Sequence, residues 1–143
     1  MSDPKITATI VKLARLINTS EAAEYVPVEP ADGAIPGVSF QNVTDVVKRF
    51  SGSMQFGWIL REQRNEFAEA KFHAVWRSRD GRLVDVTPRK DRIRRIIFLQ
   101  DSRTNWDGQP IEPRRMSLTV NPCYCGSGMP FDLCHGMTDA QPG

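Results

Sequence analysis

Between residues 5 and 17 apolar side chains return every three or four positions, as Ile6, Ile10, Leu13, Ala14 and Ile17. That period places them on one stripe and predicts a helix ending near Asn18. A second stripe, Phe40, Val43, Val46, Val47 and Phe50, predicts a helix over 40–50, with Ser39 at the N-cap and Gly52-Ser53 beyond its end. Between the two, Pro27, Pro30 and Pro36 favour extended chain and loop. Downstream the pattern changes to runs rich in aromatic and β-branched residues. Met54–Leu60, Phe67–Arg77, Arg82–Val86 and Arg94–Leu99 read as four strands. Arg79-Asp80-Gly81 is a tight-turn signal, so the strands on either side of it should form a hairpin. Residues 101–121 are polar, proline-bearing and without period, and read as an ordered loop or tether.

These elements predict an α+β fold, with helices packed on an antiparallel sheet of about four strands. The expected organisation is a main domain over 1–100, a connecting segment over 101–121, a cysteine-bearing segment over 122–136 and a tail over 137–143. The chain has 143 residues, 40% of them hydrophobic and 25% charged, enough to bury one core. A net charge of +2 does not by itself announce a nucleic-acid binder. No apolar run approaches the roughly eighteen residues of a membrane span. Met1-Ser-Asp-Pro-Lys5 lacks the basic stretch and long apolar region of a signal peptide. A cytoplasmic protein without a membrane partner is the expectation.

All three cysteines lie within the last stretch, Cys123-Tyr-Cys125-Gly-Ser-Gly-Met-Pro-Phe-Asp-Leu-Cys134-His135-Gly136. Three thiolates and an adjacent imidazole make a complete tetrahedral set for Zn2+. The odd count at metal-ligand spacing favours reduced thiols over a disulfide. Four protein ligands, Cys123, Cys125, Cys134 and His135, would leave no open position, so the zinc would be structural. Gly126 and Gly128 let the backbone turn close to the sulfurs, and Phe131 and Leu133 would pack beneath the loop. The segment resembles the SEC-C motif, the zinc-binding tail of the translocation motor SecA, at Cys123, Cys125, Gly126, Ser127, Gly128, Phe131, Cys134 and His135. The lysines usual in the SecA tail are replaced here by Met129 and Pro130, so binding to the SecB chaperone does not carry over.

In the main domain, the hairpin would set His73 and Asp85 on neighbouring strands, where a carboxylate can orient an imidazole. Ser39 stands at the start of a helix, where a dipole favours developing negative charge. The order of helix-start residue, His and Asp resembles the papain-like and transglutaminase-like superfamily. The stretch from about Tyr25 to Leu99 further resembles a group of bacterial and phage proteins that pair such a domain with a SEC-C tail. The resembling segments include Tyr25-Val-Pro-Val-Glu-Pro30, Phe40-Gln-Asn-Val43, Gly57-Trp58, Glu69-Ala-Lys-Phe-His73-Ala-Val-Trp76 and Leu83-Val-Asp-Val-Thr-Pro88. In that group a cysteine precedes the Phe-x-Asn-Val segment, where this chain has Ser39. Ser39 therefore reads either as an N-cap or as a nucleophile served by His73 and Asp85, and His73–Asp85 either as a packed pair or as a base with its orienter. Trp58 and Trp76 read as core or pocket-wall residues.

Three functions follow. The first is a zinc-binding protein-interaction module on a degenerate papain-like domain, non-enzymatic and with a protein partner. The second is an acyl-transfer hydrolase or transglutaminase-like enzyme using Ser39, His73 and Asp85. The third is a nucleic-acid or ribonucleoprotein-binding protein, such as a phage-encoded inhibitor, resting on Arg89-Lys-Asp-Arg92-Ile-Arg94-Arg95. The alternative for that basic run is a solvated face. The absence of any cysteine outside 123–134 favours the first.

Overall fold

The computed structural model describes residues 3–63 and 66–117. The zinc candidates Cys123, Cys125, Cys134 and His135 lie outside the described residues. Helix α1, Ala8–Ile17, starts where Thr7 Oγ1 accepts the Ile10 N–H at 3.2 Å, a side-chain cap on an otherwise unpaired amide. Its buried stripe is Ile10, Leu13, Ala14 and Ile17. Helix α2 spans Ser39–Phe50 and buries Ser39, Asn42, Val43 and Val46. The strands are β1 Glu24–Pro27, β2 Ser53–Gln63, β3 Phe67–Arg77, β4 Leu83–Val84, β5 Arg95–Gln100 and β6 Arg114–Ser117.

The sheet runs β1-β5-β2-β3-β4, with β6 also paired to β3, and all strand pairs are antiparallel. Its two ends meet. Val28 and Asp85 form a parallel bridge, Asp85 donates its N–H to Pro27 O and Glu29 to Asp85 O, both at 2.9 Å. The sheet thus curls into a nearly closed barrel, which leaves few unpaired edge amides. Inside lie Val26, Val75, Leu83, Ile96 and Phe98. Gly57 faces this interior: a Cβ there would sit 2.2 Å from Leu99 O and 2.5 Å from Phe98 Cζ, so the Phe98 ring occupies the space a side chain would take.

Both helices pack on the outer face, and alternation along β3 decides how. Ala68 and Ala70 meet α1, while Ala74 lies under α2 with Val43 and Val46. Three small side chains on one face let the helices approach the strand closely. The odd-numbered residues of β3, including His73 and Val75, point the other way.

The α+β class holds, but the sheet has six strands where about four were expected. Pro27 and Pro30 read as loop, yet Pro27 closes β1, an end position where a missing N–H is tolerated. Strand β6 was hidden in a polar stretch because only Met116 among its four residues turns inward, at 2% exposure. Regular pairing of β4 shrinks to two residues because Asp85 leaves β3 to bridge Val28.

Candidate functional site

Because β4 and β6 pair with opposite ends of β3, the stretch Lys71–Val75 has no strand partner on that edge among the described residues. The start of α2 fills part of the gap. Ser39 Oγ accepts the Ala74 N–H at 3.2 Å, and Ser39 is 6% exposed. The expected N-cap is therefore corrected. Val38 occupies that position without a side-chain bond, and Ser39 is the first helical residue, its hydroxyl turned to the sheet. The buried β3 amide, left without a strand carbonyl, takes this acceptor in place of the amides of the helix's own first turn.

His73 and Asp85 are brought together. His73 Nε2 lies 2.9 Å from Asp85 Oδ1, with side-chain exposures of 12% and 0%. Asp85 Oδ1 also accepts the Thr87 N–H at 3.2 Å, a local turn two residues on. Among the described residues Asp85 Oδ2 is buried without a hydrogen-bond partner. A carboxylate so placed fixes the ring's orientation and would stabilise an imidazolium. With Nε2 committed, Nδ1 is the nitrogen left for chemistry.

Asn42 ties the parts together. It donates to Thr87 Oγ1 at 3.0 Å and Ile35 O at 2.8 Å, and its Oδ1 accepts the Ile35 N–H at 3.0 Å. One buried amide thus links α2, the strand end carrying Asp85 and the loop before α2. The sequence marked Asn42 only as part of a resembling segment. The Asp-x-Thr pattern at 85–87 was the available signal for Thr87.

Ser39, His73 and Thr87 line one cleft of about 1170 Å³. Among the described residues no hydrogen bond joins Ser39 to His73. The far wall comes from the segment read as a tether. Trp106 stands edge-on to Phe40, Phe56 and Phe72 at centroid distances of 5.4, 5.7 and 5.2 Å. Trp58 and Trp76 are both packed, as a core or wall role requires.

The basic run is largely engaged within the protein. Arg89 pairs with Asp91 at 2.8 Å, Arg94 with Asp3 at 3.5 Å, and Arg95 lies 3.8 Å from the Tyr25 ring centroid.

A second polar cluster anchors α1. Asp101, 2% exposed, accepts from Trp58 Nε1 at 2.9 Å and from Arg103 Nε at 2.9 Å, while Arg103 Nη2 donates to Ile17 O at 2.7 Å. Burial acts to raise the Asp101 pKa, but the bonds from Arg103 and Trp58 outweigh it and hold the carboxyl below its ordinary value. A depressed carboxyl contributes stability above its unfolded-state pKa, near 4, and loses it as pH falls through the folded value. The melting temperature should therefore drop on acidification below about pH 4. In Asp101→Asn the slope should be shallower, measured by circular dichroism melts across pH. An unchanged slope would show that other carboxylates carry the effect.

Compared with known proteins, a 45-residue stretch is 38% identical to protein translocase subunit SecA of Helicobacter hepaticus, covering 32% of this chain and 5% of that protein. The match is compatible with the SEC-C resemblance. No family model matches the chain. No solved structure matches it. Among the described residues no helix is long and apolar enough to cross a membrane.

Proposed function

We propose that this chain is a zinc-binding interaction protein built on a degenerate papain-like domain, whose cleft binds a protein segment without turning it over. The observation that carries the reading is the use of the Ser39 hydroxyl. At the helix start, where a nucleophile would stand, Ser39 accepts the Ala74 N–H, and among the described residues no bond links it to His73. A serine gains little from a helix dipole and needs a base in contact to react. The SEC-C-like ligands Cys123, Cys125, Cys134 and His135 would hold a structural Zn2+ beside this domain, a role for which the short SecA match gives partial support.

A second reading, acyl transfer by Ser39, His73 and Asp85, is favoured by one observation, the buried carboxylate 2.9 Å from an imidazole on the same cleft. A fluorophosphonate probe separates the two. The non-catalytic reading expects no modification of Ser39, read by peptide mass spectrometry. Labelling of Ser39 that disappears in His73→Ala would overturn it in favour of the enzyme.

A further inference from the structure

The cleft beside His73 carries positive charge for which the dyad has no use. Four cationic side chains line it, Arg61, Lys71, Arg89 and Lys90, against the carboxylates Asp91 and Asp107. Two of the cations are neutralised in place. Arg61 holds Glu69 at 3.0 Å, and Arg89 holds both oxygens of Asp91 at 3.1 and 2.8 Å. Lys71 and Lys90 are exposed and form no ion pair or side-chain hydrogen bond among the described residues. Lys71 sits on β3 two residues before His73, hence on the same side of the strand and about 7 Å along it. Helix α2 opens onto the same cleft at Phe40 and Gln41, with no side chain capping its first turn. The amides and dipole of a twelve-residue helix add to the positive potential there.

Resting on the reading of this cleft as a binding site, we propose that it recognises an acidic polypeptide segment, with Lys71 and Lys90 pairing its carboxylates. The volume, about 1170 Å³, exceeds that of a common small-ligand pocket and suits several residues of extended chain. A polypeptide fits better than a nucleic acid. Single-stranded nucleic acids stack bases on free aromatic faces, whereas the cleft's aromatic rings, Phe40, Phe72 and Trp106, are half-buried and Trp106 packs against both of the others. Two unpaired cations are also few for tracking a phosphate backbone.

The test is fluorescence anisotropy on the full chain with labelled hexaglutamate, hexaglutamine and hexalysine peptides and a decauridine oligonucleotide. Binding is read from about 50 to about 300 mM salt, across which exposed charge pairs are progressively screened. Hexaglutamate should bind in preference to the other peptides and weaken with salt. The double variant Lys71→Glu, Lys90→Glu should bind it about tenfold more weakly. Neither lysine supports the fold, so an unchanged melting temperature serves as control. Equal affinity for hexaglutamine would remove the charge preference and leave a peptide cleft. Lysine-dependent binding of decauridine tighter than that of hexaglutamate would overturn the proposal in favour of nucleic acid. No binding of any peptide would remove both the acidic ligand and the peptide cleft, while the non-catalytic reading would still rest on Ser39 labelling.

Discussion

Purified without chelator, the chain is expected to carry about one zinc per molecule, and Cys123→Ser or Cys134→Ser to carry almost none. Three thiolates and one imidazole complete a tetrahedron, and losing one thiolate leaves a three-ligand set that water must fill. The apparent binding energy of such sites, about 10–16 kcal/mol near neutral pH, is also their folding energy. A chelator should therefore expose residues 122–136 to protease at sites that the loaded protein protects. The melting of the main domain should hardly move, since its barrel and helices close on their own core. The direct readout is metal content by mass spectrometry, with limited proteolysis as the second. Zinc content that survives both cysteine substitutions would end the assignment. Equal proteolysis with and without chelator would leave zinc bound but not structural.

Much of the main domain was legible because local pattern and tertiary role coincide. In α2 the apolar stripe brings Val43 and Val46 to the core, although Phe50 at its end is exposed, and the Asp80-Gly81 turn returns the chain so that Asp85 meets His73. What was illegible depends on backbone groups or on single residues. Barrel closure rests on main-chain bonds among Pro27, Glu29 and Asp85, which no side-chain period encodes. Strand β6 turns one apolar side chain inward and so offers no alternation to count. Trp106 lies in an irregular stretch, yet it walls the cleft because a T-shaped aromatic cluster tolerates any backbone that delivers the ring. Asp101 follows an apolar strand and reads as its boundary, while its burial is created by Trp58 and Arg103 from elsewhere in the fold. At Ser39 the local rule gave the wrong partner. Serine before a helical run predicts a cap, but the unpaired Ala74 amide was invisible until β4 and β6 were seen to leave β3 open there.

Placing a thiol at the start of α2 should reveal what the His73–Asp85 pair can do. In Ser39→Cys the sulfur would stand at a helix N-terminus, beside a cleft that also holds an imidazole fixed by a buried carboxylate. Helix N-termini and neighbouring imidazolium groups lower a thiol pKa from about 8.5, in strong cases to about 4, and so raise the thiolate fraction near neutral pH. Alkylation of residue 39 by iodoacetamide at about pH 6.5 should then run at least tenfold faster than that of an unstructured cysteine peptide. Its rate should stay high on acidification to a pH where the peptide has stopped reacting. Adding His73→Ala should bring most of the rate back toward the peptide's value, and adding Asp85→Asn should lower it partway by freeing the ring to turn. The zinc-segment cysteines are distinguished by mapping the modified peptide. Replacing Oγ with sulfur weakens the bond to the Ala74 N–H, so a stability loss of about 1 kcal/mol is expected and a thermal melt checks that the fold survives. A folded Ser39→Cys protein whose thiol reacts like the free peptide, with or without His73, would mean that the His73–Asp85 pair is a packing device. A fast, His73-dependent thiol would mean that the fold can activate a nucleophile at position 39, with the base oriented by Asp85 at the edge of the cleft.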